Sequence, residues 1–171
     1  MYYFDILEGL YRSKVKYLVV GGLSVNLYGV PRVTQDIDID IDIVIAMNKE
    51  NVLKTTSLFK ELGYVPRLPA NPDDLADYDS VKDWIKNKNL KAFSFYHKKD
   101  NYKVVGVVLV HPLDFEESFV NRTVKRAKDV DIYLASVDDI IKMKKMSGRP
   151  QDLSDIEMLN KVRKYLGEGN G

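Results

Sequence analysis

Four aspartates, Asp36, Asp38, Asp40 and Asp42, alternate with isoleucine in a single run. In an extended chain residues two apart share a face, so all four carboxylates project to the same side. Adjacent carboxylates repel, and burying one unpaired costs roughly several kcal/mol. Either a cation or open water must therefore face them. Hard oxygen ligands of this kind suit magnesium shared with substrate phosphates; the other reading is a solvated edge strand whose isoleucines alone meet the core. Same-face neighbours lie about 6.6 Å apart, so the run spans roughly 20 Å, whereas paired catalytic metals sit about 3.5–4 Å apart. One pair can serve one site. If the acidic strand starts beside the end of the strand before it, that pair is Asp36 and Asp38. Asp40 and Asp42 are then secondary ligands, solvated acids or structural residues.

Upstream, Tyr17-Leu18-Val19-Val20 stops at Gly21-Gly22, and a short helical stretch follows. A strand that ends in glycines and opens a helix exposes backbone N–H groups with no side chain in the way, a cradle for phosphate. The same two glycines also fit a plain tight turn that needs positive φ.

The elements that position these residues follow from periodicity. Tyr3 to Arg12 carries apolar residues at helical spacing, and Tyr17 to Val20 reads as a buried strand. Leu23 to Tyr28 suits a helix ended by Gly29 and Pro31, and Asp36 to Ile45 a strand. Asn48 caps a helix running to about Leu62, with Gly63 as its stop. Arg67 to Asp79 reads as a surface loop, and Val81 to Lys86 as a short helix. Ala92 to Tyr96 and Lys103 to Val110 form a hairpin around Lys98-Lys99-Asp100-Asn101. Two short strands are expected between Thr123 and Ala135, around Asp129. Helices Val137 to Met146 and Asp152 to Leu166 follow, separated by Gly148-Arg149-Pro150. The sum is an α/β (α+β) chain, a mixed β-sheet flanked by helices, as one domain over residues 1–166 with a frayed tail over 167–171.

The turn, spacer and acid pair resemble the nucleotidyltransferase superfamily of the DNA-polymerase-beta type. Its signature stands here as Val20-Gly21-Gly22, a spacer of thirteen residues, then Asp36-Ile37-Asp38. The stretch from Gly21 is similar to the small prokaryotic branch related to AbiEii-type toxin enzymes, in which an arginine and a threonine precede the acids, as Arg32 and Thr34 do. A second match lies between Asp138 and Leu159, where Lys144, Arg149, Asp152 and Asp155 stand at the branch's lysine-bearing helix and aspartate-led final helix. The resemblance implies a nucleotidyltransferase fold with C-terminal helices. It implies Asp36 and Asp38 as catalytic magnesium ligands, and a nucleoside triphosphate held by Gly21, Gly22, Arg32 and Lys144. It further implies transfer of a nucleoside monophosphate to a hydroxyl acceptor with release of pyrophosphate, RNA and tRNA being suggested by the toxin-type members, or, in the alternative, a degenerate module of the same fold in a toxin–antitoxin or other two-component system. From the residues alone, Lys144 is equally a solvated helix lysine, Arg32 a partner in a structural salt bridge, and Asp152 a helix cap.

One departure stands out. The family's third carboxylate, which completes the metal site and serves as base, is expected between Tyr102 and Val110, where the sequence reads YKVVGVVLV and Gly106 takes its place. A glycine within a β-branched run marks a bulge or a lost side chain. A catalytically degenerate module that still binds nucleotide is the alternative reading.

Composition narrows the rest. There is no cysteine, which excludes disulfides, thiolate metal sites and cysteine nucleophiles. Only His97 and His111 are available as imidazoles, both at strand ends. Twenty-six lysines and arginines against twenty-five acids leave a net charge of +1, so no bulk field draws the chain to nucleic acid or a membrane, although a local basic patch is compatible with it. The N-terminus is acidic and aromatic where a signal peptide needs a basic start and an apolar run, so a cytoplasmic location is expected.

Overall fold

The computed structural model describes residues 2–30 and 40–169. The expected leading acids Asp36 and Asp38, together with Arg32 and Thr34, lie outside those residues.

The chain runs α1 (Tyr2–Arg12), β1 (Tyr17–Val20), α2 (Gly21–Leu27), β2 (Ile41–Ile45), α3 (Lys49–Glu61), β3 (Tyr64–Pro66), a 3₁₀ turn (Pro72–Ala76) and α4 (Tyr78–Lys88). It continues through β4 (Ala92–His97), β5 (Val104–Val108), α5 (Phe115–Val120), β6 (Thr123–Ala127), β7 (Val130–Leu134), α6 (Val137–Ser147) and α7 (Pro150–Gly169). The seven strands form one mixed sheet in the order β3-β4-β5-β2-β1-β7-β6, flanked by helices and closed by the two C-terminal ones. β1 runs antiparallel to β2 and parallel to β7, while β2 runs parallel to β5.

The central position of β1 follows from its composition. Tyr17, Leu18, Val19 and Val20 have no exposed surface, so both faces of this strand are covered. α1 turns Ile6, Leu7 and Leu10 inward, all fully buried, and packs on β7 and α3. Asn48 caps α3 by accepting a hydrogen bond from the Asn51 N–H at 3.0 Å, as its type and position predict. The buried Asn51 then ties strand ends together. Its Oδ1 accepts from Lys16 N at 2.7 Å, and its Nδ2 donates to the carbonyls of Lys16 and Ala46 at 3.0 and 2.8 Å. The start of β1 and the end of β2 are thereby fixed side by side.

Two expectations need adjustment, and two elements were not expected. The 67–79 segment is not wholly loop: it contains the 3₁₀ turn, capped by Asn71, and α4 already begins at Tyr78. The last helix begins at Pro150, which is tolerated in a first helical turn, and continues to Gly169 into the expected tail. β3 and α5 are short elements without a readable period. No described helix is long and apolar enough to cross a membrane.

Candidate active site

β1 and β2 are antiparallel, so the end of β1 meets the start of β2, with Val20 opposite Asp42. Val20 then gives way to Gly21, at φ +68°, and α2 begins. A Cβ added to Gly21 would stand 2.8 Å from Asp42 Oδ2, so the carboxylate would have to shift, and the positive φ strains any other residue there. On the other flank, Gly106 pairs with Asp42 across the parallel β2–β5 ladder, and a Cβ there would stand 2.8 Å from Asp42 Oδ1. The Asp42 carboxylate is thus seated between two glycines, and a side chain at either position would require it to shift.

Gly106 is not a bulge. It keeps regular register with Asp42 on one side and Ser94 on the other. Parallel neighbours in register share a face, so a side chain at this position would emerge beside the Asp42 carboxylate. The acid expected in this strand is absent at this position, where glycine stands.

Asp42 lies on the floor of a cleft of about 540 Å³, walled by β5, the segment through His111 and Pro112, α6 and the start of α7. Burial lifts its carboxyl pKa to about 6; Asp40 adds to the rise, and Arg149 and Lys144 oppose it. These cations therefore act across the cleft on Asp42. His111, in the cleft wall, is held below the ordinary imidazole range by burial, and its Nδ1 accepts from Leu113 N at 3.2 Å.

The glycine turn stands at the junction of β1 and α2, where the sequence places it. Val20 caps α2 with no side-chain hydrogen bond, so among the described residues no capping side chain meets the first-turn N–H groups, those of Gly21 and Gly22 included. Ser24 Oγ instead donates to the Gly21 carbonyl at 2.6 Å and braces the turn.

The expected lysine is engaged. Lys144 is buried at 7% side-chain exposure, with its Nζ 3.3 Å from Asp152 Oδ1 and 3.0 Å from Asp155 Oδ2. It reaches the cleft wall, but its charge is shared with two buried acids. Asp152 is both cap and ion-pair partner. It accepts from the Arg149 N–H at 3.2 Å, the N-terminal bond of α7, and from Arg149 Nε at 3.0 Å. Burial raises the Asp152 carboxyl, yet the hydrogen bonds from Arg149 and the Lys144 ammonium outweigh it and hold the group below the usual carboxylate range. Arg149 is accessible, with its side chain 75% exposed at the rim, and the exposed Lys91 lines the same cleft.

Sequence reasoning gave Asp42 and Arg149 secondary places. A signal for Asp42 was present: the apolar run that follows it, Ile43-Val44-Ile45, matches the run that precedes Gly21, and antiparallel pairing of the two sets Asp42 against the turn. Among the described residues no group of three or more acids or histidines gathers closely enough to hold a metal ion. The donor chemistry nevertheless fits magnesium, which binds through one or two carboxylates plus substrate phosphates. Asp42 is a half-buried carboxylate made room for by two glycines, with Asp40 two residues away.

Residues 7–164 match a family described as nucleotidyltransferases of unknown function (DUF6036). The chain belongs to this family. Solved structures agree with it in fold. A lincosamide antibiotic adenylyltransferase, LnuA, with lincomycin bound, shares 17% identity at a TM-score of 0.59, covering 94% of this chain and 95% of its own. The antibiotic-resistance factor ANT(2'')-Ia in solution shares 14% at a TM-score of 0.53, covering 98% and 83%. The same factor in complex with adenylyl-2''-tobramycin shares 11% at 0.52, covering 99% and 97%. A comparison with curated protein sequences gives no match.

Proposed function

We propose that this nucleotidyltransferase-family chain binds a magnesium–nucleoside triphosphate in the cleft over Asp42 and transfers the nucleoside monophosphate to an acceptor hydroxyl, releasing pyrophosphate. The observation that carries this reading is the seat of Asp42: a carboxylate between Gly21 and Gly106, on the floor of a cleft rimmed by Arg149. Asp42, with Asp40, would hold the metal, in preference to Asp36 and Asp38. When bound, magnesium supplies charge neutralisation for the phosphates and the developing transition state. The N–H groups at Gly21 and Gly22 would cradle the phosphate tail. Arg149, anchored to Asp152 through Nε, presents the rest of its guanidinium to phosphate oxygens, a geometry a lysine point charge lacks. Lys144 supports this from within by holding Asp152 in place.

A second reading, favoured by Gly106, is a module that binds nucleotide with little turnover. Loss of a general base typically lowers rate by about 10²–10⁴. The resemblance to toxin-type members favours an RNA acceptor, and the structural neighbours, a lincosamide adenylyltransferase and a factor bound to adenylyl-2''-tobramycin, favour a small antibiotic-like one.

Calorimetric titration with each of the four triphosphates, with and without magnesium, tests the reading. Magnesium-dependent binding is expected in the parent and in Asp36→Asn plus Asp38→Asn, and is expected to vanish in Asp42→Asn. Loss only in the Asp36/Asp38 variant would return the metal to the leading pair. Pyrophosphate release with RNA or small-molecule pools separates the enzyme from the binding module.

A further inference from the structure

A second hollow, of about 570 Å³, lies where the end of α1, the start of β1, α5 and β7 meet. Four of its eight lining residues are cations, Arg12, Lys14, Lys16 and Arg122, and none is an acid. Arg12 is partly neutralised, by Glu8 at 3.6 Å and Asp129 at 3.4 Å. Among the described residues, Lys14, Lys16 and Arg122 form no ion pair. In a chain whose charges nearly cancel, this clustering is local.

The cations sit against rings. The Arg122 guanidinium lies 4.1 Å from the Phe119 ring centre and 4.8 Å from that of Tyr133, and its Nη1 donates to the Phe119 carbonyl at 2.7 Å. It is therefore ordered before any ligand arrives, which lowers the entropic cost of binding. Its Nε is buried with no hydrogen-bond partner among the described residues. Lys14 stands at φ +57°, directly after α1, in the left-handed position where glycine is usual. A side chain there costs roughly 1–2 kcal/mol and brings a charge to the rim.

We propose that this hollow binds nucleotide phosphates, with an adjoining base stacked on its guanidinium and aromatic surface. Cations without counter-charges draw the phosphates, and planar groups accept any base, the combination that serves single-stranded nucleic acid. The site is separate from the cleft. Lys16 precedes β1 and Gly21 follows it, so the two lie at opposite ends of one strand, about 16 Å apart at extended spacing. The proposal does not rest on the catalytic reading.

The test is fluorescence anisotropy with a labelled ten-nucleotide single-stranded RNA, without magnesium or triphosphate, over a salt series. Lys14→Glu plus Lys16→Glu, both at exposed positions, is expected to weaken binding at least about tenfold and to flatten the salt slope by about 1.4. Arg122→Gln is expected to weaken it as well, and Asp42→Asn to leave it unchanged. Displacement of the strand by unlabelled adenosine monophosphate would identify free nucleotide as the ligand; failure to displace it would identify the strand. No binding by the parent up to about 100 µM, the weak end of non-specific affinity, would overturn the proposal. So would unchanged affinity in the lysine variant, or a loss confined to Asp42→Asn. Circular dichroism of each variant excludes unfolding as the cause.

Discussion

Because burial lifts the Asp42 carboxyl to about 6, its ionisation at neutral pH costs the metal-free fold stability. The sign follows from linkage: the folded chain holds this proton more tightly than the unfolded one, so stability falls as pH rises through the interval between the ordinary value of 3.8 and about 6. Asp42→Asn removes the titration. Its stability advantage over the parent, measured by urea unfolding without divalent ions, is expected to grow by about 1–2 kcal/mol between pH 5 and 7.5. Magnesium with triphosphate should close that gap for the parent only. A constant difference across pH would mean that the group titrates normally. Gly106 is the complementary residue. Gly106→Asp places a second carboxylate beside the first, in register, and is expected to destabilise the metal-free protein by about 1–3 kcal/mol. With magnesium and an acceptor it should raise turnover by about 10²–10⁴, the usual contribution of a general base. An active parent that gains nothing would show that the base lies elsewhere.

At the scale of elements, the α6–α7 corner separates two cations that the sequence presents alike. Lys144 is buried between Asp152 and Asp155, whereas Arg149 is exposed and tethered. Lys144→Met removes the ammonium shared by two buried acids, Asp152 keeping Arg149, and is expected to cost about 3–5 kcal/mol in urea unfolding. Arg149→Ala removes an exposed side chain and should cost under about 1 kcal/mol, while raising the KM for triphosphate at least about tenfold. The opposite pattern would make Lys144 the phosphate ligand. In the segment KMKKM nothing but the position of α7 distinguishes Lys144 from Lys142 and Lys145, both exposed, so the sequence could show a candidate cation but not its partner. The aspartate run has the same ambiguity in another form. A period of two is unchanged when it slips by two or by four, so the alternation names a face and leaves the register open. Register comes from Val20 opposite Asp42, a long-range pairing. Elements with a long period or a cap (α1, β1, α3, the β4–β5 hairpin, α6) were readable; β3 and α5, three and six residues long, offer too little pattern to detect.

For the whole molecule, the strand order brings the first strand beside the last, inside the sheet. β7 lies parallel to β1, with Val19 beside Leu134, and the helices after it return over the cleft. That arrangement was not legible locally, since it depends on which strands become neighbours across more than a hundred residues. Its consequence is that α7 belongs to the fold as much as to the site. It contributes Leu159, fully buried in the core, and the two acids that neutralise Lys144. Ending the chain at Arg149 should therefore remove triphosphate binding and lower the urea midpoint sharply. Without α7, Lys144 loses both its partners and its cover and meets water. Lys144→Met in the shortened chain is thus expected to change stability by under about 1 kcal/mol. In the full-length chain the same substitution destabilises. This dependence on α7 is what a structural ion pair requires, whereas a lysine that only awaits phosphate would be near neutral in both chains.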